Sequence, residues 1–414
     1  MSAAGGSPQE VLARASQARR EGRHAAAIAD LRELLDQQPQ FGPGWNMLGL
    51  TQLESGASKE GLASLRRATE VDGAAPIPWF NLANAQRALG DRAGELASLE
   101  QALSRDPYFL PALLAKGEAL IALDRLPEAL ELYRLLFAGL PKEQQLPDSL
   151  KAKVDAARAL LDRHGAEQLD AFSVALEAVA ATHPGEDLRR ARAYAEQRAG
   201  RRQVFQHRPH AGHFPYLPAI EYFDRELFPW FPELERETAT IREELVALWA
   251  ADDPNFRPYV TYAPGTPLNE WADLNWSPRW SAWFLWEDGK RNEANCARCP
   301  RTAALIERLP LLDIPGKAPT VMFSVLQPHT RIPPHTGSTN ARTTIHLPLI
   351  VPPHCGFRVG AETREWREGE AWAFDDTIEH EAWNDSDHVR AILILDGWNP
   401  LLSEAEREVV RRIG

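Results

Sequence analysis

The stretch "PPHTGSTNARTTIHLPLIVPP", residues 333–353, decides how the chain reads. Its second half alternates like a half-buried strand, whereas its first half is polar and turn-rich and sets His335 at the entrance. Working outward, "TVMFSVL" lies upstream, and "GFRVG", "EAWAF", "HEAW" and "VRAILILDGW" follow downstream. These are short strand-like runs punctuated by proline and glycine. From about residue 318 the series predicts a double-sheet β fold of the jelly-roll kind, with an interior wide enough for a small ligand. The chemistry is sought there.

The first third of the chain has a different periodicity. Gly22, Gly56, Gly90 and Asp124 recur at a spacing of 34 residues, as do Pro39, Gly73, Pro107 and Pro141. Large apolar positions keep step: Ile28, Leu62, Leu96 and Leu130 in one register, Leu31, Leu65, Leu99 and Tyr133 in another. This is the tetratricopeptide period, two antiparallel helices per unit with a turn former between them and a breaker at the end. The repeats are expected over residues 8–141. Helices of this kind stack into a solenoid with a concave groove, which serves either as scaffold or dimer surface or for capture of a peptide or protein. Residues 142–205 continue as helical cap or linker with a break at "THPGED", and 206–414 form the third segment.

The 414 residues allow two or three domains, and 44% hydrophobic with 25% charged residues describes an ordered chain. A net charge of -12 argues against a nucleic-acid partner, because phosphate contacts need a basic surface. The N-terminal "MSAAGGSPQE" lacks the features of a secretion signal, and no apolar run approaches a membrane span. The expectation is a cytoplasmic protein without a membrane contact. Cys296 and Cys299 have the spacing of a redox pair or of half a zinc site but no matching second pair, so with Cys355 they are expected as reduced, locally packed thiols. His207, His210 and His213 sit among proline and glycine and read as a loop rather than a metal site. A helix is expected from about 234 to 250. Trp280, Trp283 and Trp286 read as a packed core edge.

His335, His346, His380 and Arg390 fall within or beside the strands. A two-histidine iron site on this architecture usually takes its third ligand from a carboxylate two residues beyond the first histidine, and that position is Gly337. Three readings follow: iron held by His335 and His380 alone, a contribution from Asp375, Asp376 or Glu379, or histidines bonded structurally to backbone carbonyls.

The phrases "PHTGSTNARTTIHLPLIVP", "WREGEAWAFDDTIEHEAWN" and "VRAILILDGWNP" resemble the aspartyl/asparaginyl β-hydroxylase family of iron(II)- and 2-oxoglutarate-dependent oxygenases. Upstream, "YLPAIEYFDRELFPWFPELE" resembles the start of the family's oxygenase region. The resemblance implies an all-α tetratricopeptide solenoid followed by a double-stranded β-helix, cupin-like, with flanking helices. It also implies Fe(II) on His335 and His380, with 2-oxoglutarate and dioxygen as cosubstrates. Gly337 then matches the family's own glycine. Arg390 matches the arginine that clamps the distal carboxylate of 2-oxoglutarate, with Ser324 and His346 near the same cosubstrate. Asp375 and Asp376 would order the loop before His380, through that ligand's second nitrogen.

One departure bears on substrate. Where animal members carry a second arginine two residues before the inner histidine, this chain has Thr344, and Arg342 on the same strand face is the candidate to replace it. The implied reaction is hydroxylation of the β-carbon of an aspartyl or asparaginyl residue in a peptide or protein captured by the repeat groove. The alternatives are the same chemistry on a small molecule or acyl chain, and a non-catalytic adaptor with a binding-only β domain.

Overall fold

The computed structural model describes residues 7–139, 146–251, 253–267 and 269–413. Two compact units divide between Arg201 and Arg202.

The first unit is helical: α1 (Pro8–Arg20), α2 (His24–Gln37), α3 (Gly42–Glu54), α4 (Ser58–Val71), α5 (Pro76–Ala88), α6 (Arg92–Arg105), α7 (Leu110–Ala122), α8 (Leu126–Gly139), α9 (Asp148–Thr182) and α10 (Arg189–Arg198). The turns closing α1, α3, α5 and α7 hold Gly22, Gly56, Gly90 and Asp124 at φ of 73°, 86°, 80° and 58°. A left-handed residue reverses the chain there, which explains why glycine recurs and why a short polar residue replaces it once. Leu31, Leu65 and Leu99 are completely buried and Tyr133 nearly so. Tyr133 fits because Gly117 has no Cβ to meet its ring. Successive units also repeat a bond: the Trp45 indole donates to the Pro39 carbonyl at 2.9 Å, and that of Trp79 to Gly73 at 3.1 Å. The fourth breaker position, Pro141, lies outside the described residues. α9 ends just before the break expected at "THPGED".

The second unit is built on two antiparallel sheets. Its strands are β1 (Arg257–Pro258), β2 (Trp280–Glu287), β3 (Lys290–Arg291), β4 (Val321–Leu326), β5 (Thr330–His335), β6 (Arg342–Ile350), β7 (Cys355–Val359), β8 (Glu362–Glu365), β9 (Trp372–Phe374), β10 (His380–Asn384) and β11 (Arg390–Trp398). The larger sheet runs β1-β2-β4-β11-β6-β9 with β3 on β2, and the smaller runs β5-β10-β7-β8. Helices α11 (Phe231–Arg236), α12 (Thr238–Ala250), α13 (Glu293–Arg298) and α14 (Pro300–Ile306) accompany the larger sheet. Phe231, Leu234, Ile241 and Leu245 pack with Trp283, Phe323 and Leu393 in its core. A second cluster, including Trp280, Phe357, Phe374 and Ile378, joins residues of both sheets. The helix expected over 234–250 is two helices meeting at Glu237, and α15 (Glu404–Ile413) closes the described chain.

Two strands differ from the sequence reading. β5 carries Pro333 and Pro334, and it is tolerated because it is an edge strand paired only with β10. β2 carries Trp280, Trp283 and Trp286, expected only as a core edge, and it is a strand buried on both faces, so it shows no alternation. Cys296, Cys299 and Cys355 are free thiols. The Cys296 thiol reaches the Leu285 carbonyl at 3.4 Å, and burial pushes the Cys299 thiol up to about 12. Among the described residues no helix is long and apolar enough to cross a membrane.

Candidate active site

His335 ends β5, His380 begins β10, and the two are cross-strand partners at an irregularity in the pairing. Direct opposition brings their rings to 4.0 Å between centroids. Each Nδ1 is bonded to a carbonyl two residues back: His335 to Pro333 at 2.8 Å and His380 to Ile378 at 3.0 Å. An Nδ1–H donated to a carbonyl leaves Nε2 as the lone-pair nitrogen. Burial lowers the pKa of both rings, so they are held neutral. Trp271 stands edge-on to His335 at 4.8 Å.

Both histidines line a cavity of about 270 Å³, with Arg390, His346, Arg342 and Thr344. On β11, period-two alternation puts Arg390, Ile394 and Asp396 on one face, and on β6 it does the same for Arg342, Thr344 and His346. Ser324 of β4 is buried nearby and accepts from the Trp280 indole at 3.1 Å. Trp280 is therefore part of the cavity wall as well as of the core.

The two arginines of the cavity differ sharply. Arg390 is 2% exposed, has no carboxylate partner among the described residues, and leaves its Nε without a bond. Burial pushes its pKa down to about 10. Trp366 lies 5.4 Å from its guanidinium and stacks on His346 at 5.7 Å, whose Nδ1 is also unbonded and whose basicity burial strongly lowers. Arg342 instead is bonded to Asp376 and lies 3.5 Å from Asp396. Burial opposes its charge, yet the two carboxylates raise its pKa above the ordinary value. Thr344 is opposite Asp396 in the strand register.

The acids near His380 have other work. Asp375 accepts from the Thr377 backbone at 3.0 Å and its hydroxyl at 2.6 Å, Asp376 holds Arg342, and Glu379 lies 3.1 Å from Arg358. Asp375 thus orders the loop, but the second nitrogen of His380 goes to a carbonyl rather than to either aspartate, which corrects the expected contact. Among the described residues no three His, Cys, Asp or Glu side chains form a metal-holding group. A Cβ on Gly337 would collide with the Asp376 carboxyl group, so the glycine makes room for that acid.

Residues 207–212 strap the two histidine loops together. The Arg208 amide bonds to Thr377 at 2.7 Å, the His210 amide to Gly337 at 3.1 Å and the Ala211 amide to Ser338 at 2.9 Å. His207 Nδ1 is 3.0 Å from both the Asp375 carboxylate and the Thr377 hydroxyl, and its Nε2 is 3.1 Å from the Leu217 carbonyl. These contacts raise its pKa, the bond to Asp375 contributing most. His210 meets the Thr336 carbonyl. His207 and His210 are tethers, and sequence reasoning missed this role because their partners on the histidine loops, Asp375, Thr377 and Thr336, lie over 100 residues away.

Neutral imidazoles with free Nε2 atoms fit a divalent metal, and a buried guanidinium without an acid fits an anion. Fold and site together define an antiparallel double-sheet unit enclosing a paired-imidazole cavity with a cationic floor. Residues 235–400 of this unit match the aspartyl/asparaginyl beta-hydroxylase family profile. Residues 78–109 match a tetratricopeptide repeat. The human aspartyl/asparaginyl beta-hydroxylase is 34% identical over 181 residues, 43% of this chain and 24% of that protein. The ornithine lipid ester-linked acyl 2-hydroxylase of Rhizobium tropici is 35% identical over 188 residues, 44% and 62% respectively. Aspartate beta-hydroxylase domain-containing protein 2 of Xenopus tropicalis is 32% identical over 210 residues, 50% and 54%. The matches thus span less than two thirds of each relative.

Proposed function

We propose that the chain is an iron(II)- and 2-oxoglutarate-dependent oxygenase that hydroxylates a carbon of a substrate entering beside Arg342. The observation that carries this is one cavity holding two neutral imidazoles with free Nε2 atoms and a buried guanidinium without an acid. His335 and His380 would hold the metal; Arg390, with Ser324 and His346, would hold 2-oxoglutarate. Bound together, metal and cosubstrate supply dioxygen activation and hydroxyl transfer.

The chain's own residues prepare that chemistry. The Pro333 and Ile378 carbonyls fix the tautomers of the two histidines. Arg390 offers a desolvated charge to a carboxylate, and the Trp280, Trp366 and Phe357 rings keep water from it. The strap fixes the separation of the histidine loops.

For the substrate, the family resemblance supports a β-carbon of an aspartyl or asparaginyl residue in a peptide or protein, which the tetratricopeptide unit would capture. Arg342 is a weak candidate to meet a substrate carboxylate, since Asp376 and Asp396 already hold it. A second reading keeps the chemistry and makes the acceptor an acyl-bearing molecule. It is favoured by an apolar cavity beside the site and by the Rhizobium relative.

The test needs no substrate. Fe(II) and then 2-oxoglutarate are added anaerobically, and the visible charge-transfer band is recorded for wild type, His335→Ala, His380→Ala and Arg390→Ala. The expected result is a band absent in both histidine variants and needing on the order of 100-fold more cosubstrate in the arginine variant. No band in wild type, with no calorimetric binding, would favour a binding-only adaptor.

A further inference from the structure

A second cavity, of about 530 Å³, lies beside the catalytic one and has Arg342 and Asp396 as lining residues in common with it. Its other walls are mostly apolar: Phe214 from the strap side, Leu312 and Ile314 before β4, Ala341 at the start of β6, and Val410 and Ile413 on α15. Leu312, Ile314 and Ala341 are buried and pack with Trp398 and Leu402. Ile413 is 78% exposed, an apolar residue at the rim that its own fold leaves in water.

The polar side chains at this cavity are His213, Lys317, Ser338, Thr339, Arg342 and Asp396. Lys317 lines it, and among the described residues no carboxylate pairs with its ammonium group. Arg342 and Asp396 mark the side shared with the catalytic cavity, but Arg342 is already paired with both Asp396 and Asp376. A ligand spanning both cavities would therefore place an apolar segment here and its reacting carbon near His335 and His380. Cavities of this size bury most of a small ligand when their walls are apolar and a few polar groups set its direction.

We infer that this second cavity binds the alkyl portion of the substrate, an amphiphile whose anionic group pairs with Lys317. The inference rests on the oxygenase reading in its acyl-substrate form. The occupant is an alkyl chain rather than a protein segment because apolar side chains outnumber polar ones along the walls, which suits a chain without backbone amides to satisfy. Lys317 selects an anion over a cation.

The experiment uses the full chain without added iron or 2-oxoglutarate, so its outcome is independent of the charge-transfer test. Binding of octanoate, decanoate and dodecanoate is measured calorimetrically, below their micelle-forming concentrations. Affinity is expected to rise by about fourfold per methylene until the cavity is full. Val410→Asp should weaken dodecanoate by about tenfold or more, because a carboxylate enters an apolar wall. Ile413→Asp, on an exposed rim position that cannot disturb the core, should weaken it by a smaller factor. Lys317→Glu should weaken it by a few-fold, with the difference fading at high salt. The inference is overturned by absence of binding, by affinity independent of chain length, or by unchanged binding in both aspartate variants. A charge-transfer band in a protein that binds no alkyl carboxylate would leave the oxygenase standing and remove this cavity from substrate recognition.

Discussion

Arg390 and Arg342 line the same cavity and project from the same sheet, yet one has no acid beside it and the other has two. Arg390 begins β11 at the end of the cavity lined by His346, with Trp366 against its guanidinium, where burial pushes its pKa down. Arg342 begins β6, antiparallel to β11, so it arrives beside Trp398 and next to Asp396 at the opposite end. The difference separates a charge kept for a ligand from a charge that holds the fold. Residue type alone does not make that distinction; the neighbours do.

Replacing each arginine by methionine is the most direct way to break this contrast. Arg342→Met leaves Asp376 and Asp396 buried without their cation, and should cost about 3–5 kcal/mol of stability. Arg390→Met removes an uncompensated buried charge and should leave the melting temperature of the ligand-free protein unchanged or raised. Denaturant unfolding of the two variants checks both. Equal destabilisation would show that Arg390 is also a structural ion and would sink the comparison.

How much of this could be read in advance follows from the range of the interactions. The repeat was legible because Gly22, Gly56 and Gly90 repeat a local backbone need at fixed spacing. The strands holding His346 and Arg390 were legible because their apolar runs are bounded by turns. β5 was not, since Pro333 and Pro334 argue against a strand unless its edge position is known. His335, His346, His380 and Arg390 were named from sequence and come to one cavity. Arg342 was also named, but as a candidate to meet a substrate carboxylate. Its partner Asp396 shares a face with Arg390 by period-two counting, a signal that was present and unused. Asp376 lies on the loop before β10, where no periodicity applies.

Gly337 sharpens the comparison with a smaller effect. Its missing Cβ makes room for the Asp376 carboxyl group that holds Arg342, so the site has the acid in a different place and already engaged. Gly337→Asp, which restores the position of a facial-triad carboxylate, should therefore not tighten Fe(II) binding. It should displace Asp376 and cost about 1–3 kcal/mol. Metal titration beside thermal unfolding tests this, and a tenfold gain in iron affinity would mean that the space is free.

The smallest expected effect concerns the strap, the third buried charge contact of the site. His207 gains a bond to Asp375, which raises its pKa in the native state above the ordinary histidine value of about 6.5. A raised native pKa means the folded state binds the proton more tightly than the unfolded chain. The stabilisation is therefore complete below the unfolded value and disappears as pH climbs through the native one. His207→Asn should lower stability at pH 6 by about 1 kcal/mol, typical of a hydrogen bond to a charged group after allowing for the amide's own bonds. At pH 9 the two proteins should unfold together. The opposite trend, with the gap widening toward alkaline pH, would mean that His207 holds the loops as a neutral donor. The strap would then belong with the carbonyl-bonded histidines of the site rather than with the charge-paired Arg342.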